Sequence, residues 1–335
     1  MTKKIQIKKP DDFHCHFRQG RVLPPVVRLT AMQFKRATVM PNTVPPILTG
    51  EDVLVYFEQI HRSAPYLLPL MTIQINSATT IETVETAKKY GAVAGKIYPQ
   101  GVTTNSQNGV TNFKALYPVF EKMAEIGMLA LFHGEDPWEK ALCIDRENLF
   151  LPTLHEIATD FPELKIVLEH ITTEAAGRMV IMLDNVSATI TAHHLVLTLD
   201  DVIGGLIQPH NFCKPIAKRP EDRDFLLKMA ISGSPKFFFG SDSAPHLRDQ
   251  KECAGGCAGV FSSPVALPLL AQIFDQQGAL DKLEGFTAKF GADFYGLPQS
   301  TETIELEEKD RVVPEEYDGI VPFMAGKALR WKVAE

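Results

Sequence analysis

Eight short apolar runs, separated for the most part by segments with helical spacing, occupy residues 5–242 of this chain. The runs cover residues 5–14, 36–42, 66–75, 92–98, 128–134, 164–171, 186–195 and 236–242. Helical spacing marks residues 51–63, 79–90, 112–126, 146–160, 173–184 and 220–232. Strands that alternate with helices form parallel sheets whose crossovers are the helices. Eight such units predict an α/β protein with a closed (β/α)8 TIM barrel, and an open doubly wound sheet is the alternative.

The length of 335 residues suits a single barrel, since such barrels often use 250 residues or somewhat more. After about residue 295 the chain becomes rich in Glu and Pro, with short extended patches such as Thr303-Ile304-Glu305-Leu306. These patches are too brief for a second catalytic domain. We therefore predict one domain over residues 1–335, with a C-terminal extension, about 295–335, that packs on the barrel.

Composition excludes several classes of protein. A formal net charge of −7, without a block of Lys or Arg, argues against a nucleic-acid partner. No apolar run reaches the roughly 18 residues of a membrane span, and no apolar block follows the basic residues at 3–9, so we expect a cytoplasmic protein without a membrane partner. Five cysteines without a Cys-x-x-Cys predict reduced thiols, of which Cys253 and Cys257 shape a loop. Neither a dinucleotide-binding nor a P-loop motif is present.

Polar residues that suit a metal site end several of the apolar runs. His14 and His16, in Phe13-His14-Cys15-His16-Phe17-Arg18, are one residue apart and point to the same side of a strand. Further candidates end later runs: Lys96, His133, His170 and Asp242. Because a barrel brings the carboxyl ends of its strands to one mouth, these residues can meet, and their number suits two metal ions.

Lys96 has two interpretations. A lysine at the end of an apolar strand is costly to bury as an ammonium ion, so a buried salt bridge is the simpler one. A neutral amine can instead react with carbon dioxide, and the resulting carbamate would supply an anionic bridge between two metal ions. The polar loop at 99–111 follows directly and could act as a lid. Of the other histidines, His61 and His155 are expected to be solvated in helices, and three are expected in the core or in loops: His193, His194 and His210.

The motifs together resemble the dihydroorotases of the short, stand-alone bacterial type, within the amidohydrolase superfamily. The resemblance covers nearly the whole chain. Its motifs are Phe13-His14-Cys15-His16-Phe17-Arg18, Met40-Pro41-Asn42-Thr43, Gly95-Lys96-Ile97-Tyr98-Pro99, His133-Gly134-Glu135, Glu169-His170-Ile171-Thr172-Thr173, Gly240-Ser241-Asp242-Ser243-Ala244-Pro245-His246 and Gly256-Cys257-Ala258-Gly259.

The resemblance implies a TIM barrel of the metal-dependent hydrolase type with two zinc ions per subunit. His14, His16 and Asp242 would bind one ion, His133 and His170 the other, and carboxylated Lys96 (N6-carboxylysine) with a hydroxide would bridge both. Asp242 would be the catalytic base. The residues implied in substrate binding are Arg18, Asn42, His246, Ala258, Thr103 and Thr104.

The implied reaction is the reversible interconversion of N-carbamoyl-L-aspartate and (S)-dihydroorotate plus water in UMP biosynthesis, by a homodimer. A hydantoinase or allantoinase is the alternative enzyme, although those relatives usually carry an extra β-rich region before the His-x-His. A noncatalytic scaffold is a third possibility, but no expected ligand is missing. Two departures from the family pattern are Lys214 and the Ala192-His193-His194 segment, and a side-chain contact by Lys214 would put substrate fit in doubt.

Overall fold

The computed structural model of the chain describes residues 3–334. Eleven strands occur in this range: β1 (Lys4–Lys8), β2 (Asp11–Cys15), β3 (Arg36–Val39), β4 (Leu68–Ile75), β5 (Ala94–Ile97), β6 (Leu129–His133), β7 (Ile166–Glu169), β8 (Val186–Ile190), β9 (Phe237–Phe239), β10 (Thr303–Val312) and β11 (Ala328–Val333). Strands β2 to β9 form one parallel sheet in sequence order. Each strand therefore lies beside its predecessor, as is usual for consecutive parallel strands joined by short helical connections.

The α-helices within residues 3–334 are α1 (Leu23–Ala31), α2 (Gly50–Ser63), α3 (Ile81–Lys89), α4 (Tyr117–Glu125), α5 (Arg146–Asp160), α6 (Glu174–Met182), α7 (Asp200–Ile203), α8 (Pro220–Ile231), α9 (Arg248–Lys251), α10 (Ala266–Gln276) and α11 (Phe290–Tyr295). Threonine side chains cap the first turns of α2, α3 and α6, at Thr49, Thr80 and Thr173. Each accepts a bond from a backbone N–H that the helix itself cannot satisfy. None of the helices among the described residues is both long and apolar enough to cross a bilayer.

Backbone hydrogen bonds join the last barrel strand to the first. The N–H of Asp242 donates to the carbonyl oxygen of His14 at 2.9 Å, and the N–H of His16 donates to that of Ser243 at 2.9 Å. The sheet consequently closes, so the predicted (β/α)8 barrel is confirmed and the open doubly wound sheet is wrong. Six of the eleven helices within residues 3–334, α2 to α6 and α8, correspond to the six predicted segments to within about five residues, whereas α1, α7, α9, α10 and α11 were not predicted.

The first apolar run, 5–14, is not one strand. It breaks at Lys9-Pro10, where proline has no N–H to donate and restricts the residue before it. Its first part, β1, pairs antiparallel with β10, and β10 pairs with β11 in a three-stranded sheet. Trp331 and Leu306 of this sheet are buried, and β11 contacts α10.

Side-chain alternation directs the site residues into the barrel. Ala94, Leu131 and Val167 belong to a small apolar cluster inside the barrel. The residues two positions further along the same strands are Lys96, His133 and Glu169. Side chains two residues apart on a strand point to the same face. On each of these three strands, an apolar side chain inside the barrel is therefore followed, nearer the carboxyl end, by a polar side chain that also points inward.

Candidate metal and substrate site

Three predicted ligands meet above the barrel. The Nε2 atoms of His14 and His16 are 3.3 Å apart, and Oδ1 of Asp242 lies 3.3 Å from the first and 3.1 Å from the second. All three side chains are buried, and their ligand atoms lie within 4.8 Å of one another. Two imidazoles and a carboxylate at this separation can hold one divalent transition metal ion.

A buried aspartate fixes the two segments that carry this group. Oδ1 of Asp12 accepts hydrogen bonds from the N–H of His14 at 3.1 Å and of Ser241 at 2.8 Å. Burial raises the pKa of Asp12 to about 6, although these hydrogen bonds act to lower it. The pairing of β2 with β3 shifts register between Asp12 and Cys15, an irregularity that re-aims the strand end.

The histidine rings continue across the barrel mouth. The ring of His170 lies 4.9 Å from that of His14 and 4.8 Å from that of His133, measured between centroids. Nδ1 of His170 is buried without a hydrogen-bond partner, and Nε2 of His133 lies 2.7 Å from Oε2 of Glu135. His133 and His170 can thus offer a second ion two nitrogens, provided that Glu135 yields its hydrogen bond or becomes a ligand.

Lys96 lies fully buried with no hydrogen-bond partner for Nζ. The nitrogen is 5.2 Å from the centre of the Tyr98 ring. Burial lowers the pKa of Lys96 to about 8, and the nearby carboxylates of Glu169 and Asp242 only partly oppose this shift. The amine is therefore much more often neutral near pH 7 to 8 than an exposed lysine, which is the state that reacts with carbon dioxide.

Two acidic residues beside the histidines were missed in the sequence. Oε2 of Glu169 lies 2.6 Å from Nδ1 of His14 and accepts a bond from the hydroxyl of Thr189 at 2.7 Å. Such a carboxylate fixes the ring orientation and leaves Nε2 free to bind a metal ion. The signal was present in the motifs, because Glu169 adjoins His170, and Glu135 follows His133 by two residues.

Charge within the cluster favours an ionised Asp242. Burial alone would raise the pKa of Asp242, but hydrogen bonds with His14 and His16 hold it well below its usual range. Burial also lowers the pKa of His16 to about 4 and that of His170 well below its usual range. The imidazoles of His16 and His170 are consequently neutral, as metal ligands must be. For His14, burial opposes the charged form, but the carboxylate of Glu169 raises its pKa above the usual value.

Arg18 and His246 form the outer side of the site. Nη2 of Arg18 lies 2.9 Å from Nε2 of His246, and Nε of Arg18 donates to the carbonyl oxygen of Pro245 at 3.1 Å. Burial, followed by the charge of Arg18, lowers the pKa of His246 to about 3. The same Nε2 is 3.1 Å from the carbonyl oxygen of Ala258, so the ring lies between the guanidinium and the 256–259 segment.

Asn42 connects the candidate metal ligands to the 99–111 loop. Its Oδ1 accepts from Nδ1 of His16 at 2.9 Å, and its Nδ2 donates to the carbonyl oxygen of Thr104 at 3.0 Å. Nδ2 of Asn105 donates to the carbonyl oxygen of Asn42 at 2.9 Å. The loop therefore lies closed against the site.

A narrow cavity lies between the candidate metal ligands and Arg18. Its lining is His16, Arg18, Asn42, Thr103, Thr104, Lys214, Asp242, Ala244, Ala258 and Gly259. Seven of the predicted site residues are therefore brought to one cavity. The other five do not line the cavity but lie near it. His246 contacts Arg18, which lines the cavity. The remaining four form or adjoin the row of histidine rings: His14, Lys96, His133 and His170.

Lys251 is a further residue that the sequence did not reveal. It is buried, and its Nζ donates to three carbonyl oxygens, of Phe212 at 3.0 Å, Cys257 at 2.8 Å and Gly259 at 2.7 Å. These bonds hold the 256–259 segment against the segment that carries Lys214. Burial lowers the pKa of Lys251 to about 8.

The remaining histidines divide as expected between surface and interior. His61 and His155 are exposed on α2 and α5. His210 lies in a short 3-10 turn 2.8 Å from Glu252, whereas His193 and His194 are buried in the segment after β8.

Comparison with known proteins decides the family. The chain is 45% identical, over 342 residues and 99% of both proteins, to the dihydroorotase of Teredinibacter turnerae. The chain belongs to the dihydroorotase family. Its predicted class, a hydrolase of a cyclic amide C–N bond, is thereby confirmed, as is its action on a small-molecule substrate. No family model matches the chain.

Solved dihydroorotase structures agree over the full length. That of Campylobacter jejuni matches with a TM-score of 0.93 and 39% identity, over 100% of this chain and 98% of the other. The Saccharomyces cerevisiae dihydroorotase in complex with 5-fluoroorotic acid gives 0.92 and 39%, over 99% and 98%. The L-hydantoinase of Arthrobacter aurescens, at 15% identity and a TM-score of 0.84 over 98% and 83%, shares the fold alone.

Proposed function

We propose that this chain interconverts N-carbamoyl-L-aspartate and (S)-dihydroorotate plus water in pyrimidine (UMP) biosynthesis, using two zinc ions. The observation that carries the proposal is one cavity lined on one side by His16 and Asp242 and on the other by Arg18 and Asn42. A metal-binding group beside a guanidinium suits a ring that bears both a reactive amide and a carboxylate.

The residues present fit two metal ions. His14, His16 and Asp242 would hold the first, and His133 and His170 the second. The buried, unpartnered Nζ of Lys96 supports a carbamate at that position, because two anionic oxygens would then replace an unsatisfied amine. Imidazole and carboxylate donors are common ligands of zinc.

Bound zinc ions would lower the pKa of a water molecule and polarise the amide carbonyl of the ring. Asp242, held ionised by His14 and His16, would act as the base that accepts the proton of the attacking water. The same carboxyl would then give the proton to the leaving ring nitrogen. In the reverse direction Asp242 takes the proton from the carbamoyl nitrogen, and the ring closes with loss of water.

The substrate carboxylate would lie against Arg18, Asn42 and His246. The guanidinium is held at Nε by the Pro245 carbonyl oxygen, which leaves donors on its outer nitrogens for two carboxylate oxygens. Backbone groups near Ala258 would contact the ring, and the hydroxyls of Thr103 and Thr104 would close over it. Lys214 lines the same cavity, so its ammonium group adds a cation near an anionic substrate.

We further propose that the chain acts as a cytoplasmic homodimer, with neither nucleic acid nor a membrane as partner. The resemblance to the family and the acidic composition support this. A single domain over 1–335 with its extension at about 295–335 belongs to the same proposal, supported by the burial of Trp331. Met1, Thr2 and Glu335 lie outside the described residues.

The test combines metal content with ring opening. Protein purified without chelator should contain about two zinc ions per chain and should open dihydroorotate, followed at the ultraviolet absorbance of the ring. A chelator should abolish turnover, and added zinc with bicarbonate should restore it. Zinc-loaded protein that opens hydantoin or allantoin but not dihydroorotate would favour the hydantoinase or allantoinase alternative. A stoichiometry fixed near one would contradict the two-metal site.

A further inference from the structure

Strand β8 ends without any of the predicted metal ligands, but the chain directly after it runs Thr191-Ala192-His193-His194. Both histidines are fully or almost fully buried, and they face Cys213, which is also buried. The three residues each offer a ligand atom, and these atoms lie within 4.8 Å of one another. This group shares no residue with the site described above.

The distances within this group suit a metal ion. Nε2 of His194 lies 3.4 Å from Sγ of Cys213 and 3.2 Å from the carbonyl oxygen of Pro215, and Sγ lies 3.4 Å from that same oxygen. These atoms form a nearly equilateral triangle. A tetrahedral zinc ion with bonds of about 2.0–2.3 Å separates its ligand atoms by roughly 3.3–3.8 Å, so the triangle corresponds to one face of such a site.

A cluster held only by hydrogen bonds would not explain the burial of His193. The triangle alone could be two donors, the His194 ring and the Cys213 thiol, that share the Pro215 carbonyl oxygen. Both ring nitrogens of His193, however, are buried without any hydrogen-bond partner. Its ring centroid lies 4.5 Å from that of His194, and one of its ligand atoms lies within 4.8 Å of those of His194 and Cys213. Buried polar atoms nearly always have a partner. If His193 were the fourth ligand of a metal ion, one of its ring nitrogens would be bound to that ion.

We propose that His193, His194 and Cys213, with the carbonyl oxygen of Pro215, bind one zinc ion. A thiolate with imidazoles selects zinc or another soft to borderline cation over magnesium or calcium. On binding, the Cys213 thiol loses its proton to solvent as the sulfur–zinc bond forms, so the site gains one metal ion and releases one proton. Without a metal the thiol stays protonated, since burial raises its pKa.

Such an ion would be structural. It would tie the segment after β8 to the segment that carries Cys213 and Pro215, whose middle residue, Lys214, lines the substrate cavity. The inference does not rest on the proposed function, because it uses none of the residues that would hold the catalytic metals.

The test is titration of metal-free full-length protein with Co²⁺ while the near-ultraviolet absorbance is recorded. A thiolate-to-cobalt charge-transfer band should appear, which the other site cannot produce because its predicted ligands contain no sulfur. Cys213→Ser should lose this band and bind one equivalent of metal less than the unchanged protein. Cys257→Ser, which removes a half-buried loop thiol, is the matched control and should keep both.

If Cys213→Ser does not fold, His193→Gln provides a second test. The His193→Gln variant keeps the Cys213 thiol and replaces the imidazole ring with another polar side chain. It should weaken cobalt binding at the thiolate site by at least about 100-fold, the upper end of the cost of losing a mere supporting group. A protein without a charge-transfer band, a band that survives Cys213→Ser, or unchanged affinity in His193→Gln would each overturn the proposal.

Discussion

The two sides of the cavity are built differently. The metal side consists of His14, His16, Lys96, His133, His170 and Asp242, which lie within barrel strands or at most three residues beyond their ends. The substrate side consists of Arg18, Asn42, His246, Ala258 and the 99–111 loop, which are held by hydrogen bonds between loops. The strands fix the candidate metal ligands, which must be positioned to fractions of an ångström, and the loops carry the groups that would select the ring in the proposed reaction.

The charge also differs between the two sides. The metal side has buried carboxylates, at Asp242 and Glu169, beside imidazole nitrogens, and this donor set favours cations. The substrate side includes the cation Arg18, and two further lysines, Lys214 and Lys251, lie beside it, so this region favours an anion. Variants on the metal side should therefore abolish turnover of every substrate, whereas variants on the substrate side should act chiefly on carboxylated rings.

The largest effect is expected from Asp242→Asn. A neutral amide cannot accept the proton of the attacking water, and one charged metal ligand is lost, so turnover should fall by at least ~10²–10⁴-fold. The measurements are steady-state turnover, metal content and melting temperature. Asp281→Asn, which removes an exposed acid paired with Lys282, should change none of them. Near-normal turnover with both metals present would move the base elsewhere, with His246 as the next candidate.

Lys96→Ala should lose the metal bridge and most activity, and a small carboxylic acid in solution should restore part of it by filling the vacated space. A suitable control is Lys236→Ala. Lys236 donates to three carbonyl oxygens, of Leu183, Asp184 and Val186, and it precedes β9, at the opposite end of that strand from the candidate site. The control should lower the melting temperature only. Wild-type metal content and turnover in Lys96→Ala would exclude the carbamate.

Arg18→Met tests whether the substrate side discriminates. It should weaken binding of carboxylated rings by about 2–5 kcal/mol, the cost of leaving a buried charge without its partner. An uncarboxylated dihydrouracil should bind as before, and metal content should be unchanged. Arg21→Met, an exposed arginine nearby, serves as the control. Equal impairment of both ring types would remove the distinction between the two sides of the cavity.

Lys251→Met should raise KM for dihydroorotate about tenfold, since hydrogen bonds to a charged group contribute about 1.5 kcal/mol or more. Lys251 positions the 256–259 segment without belonging to the metal side, so kcat and metal content should change little. Lys251→Arg keeps the charge and several donors, and it should recover part of the affinity. A fall in kcat with unchanged KM, or no recovery with arginine, would contradict the positioning role.

The smallest effect is expected from Thr103→Val combined with Thr104→Val. Loss of two hydroxyl contacts from a closed loop should reduce turnover by roughly tenfold or less without altering metal content. Ser106 keeps the loop turn, through the N–H and carbonyl oxygen of Thr103, in both proteins. If the double variant melts at a lower temperature but turns over normally, the loop has only a structural role.

The sequence predicted what depends on periodicity. Apolar runs and helical spacing were sufficient for the barrel and for the strand ends that bring His14, His133 and Asp242 together. The division of the first run was missed because Lys9-Pro10 interrupts pairing without interrupting the apolar pattern. The sheet that joins β1 to β10 depends on contacts almost three hundred residues apart, which no local pattern encodes.

Interactions with backbone atoms could not be predicted. Lys251 donates to three carbonyl oxygens, and such acceptors occur at every residue regardless of its type. Glu169 and Glu135 were within reach of prediction because a carboxylate near a histidine often orients that ring. The Lys214 departure was noticed in the sequence, but only the fold brings the residue to the cavity.

Closure of the barrel by residues 242 and 243 has a consequence for synthesis on the ribosome. One edge of β2 stays unpaired until Asp242 and Ser243 emerge, and the intervening ~230 residues take roughly 10–45 s to translate at 5–20 residues per second. Throughout that interval the nascent chain exposes a sheet edge flanked by apolar side chains, which can pair with a neighbouring chain. The time for which the nascent chain needs chaperones should therefore depend on when the last barrel strand emerges, and not on when the first one does.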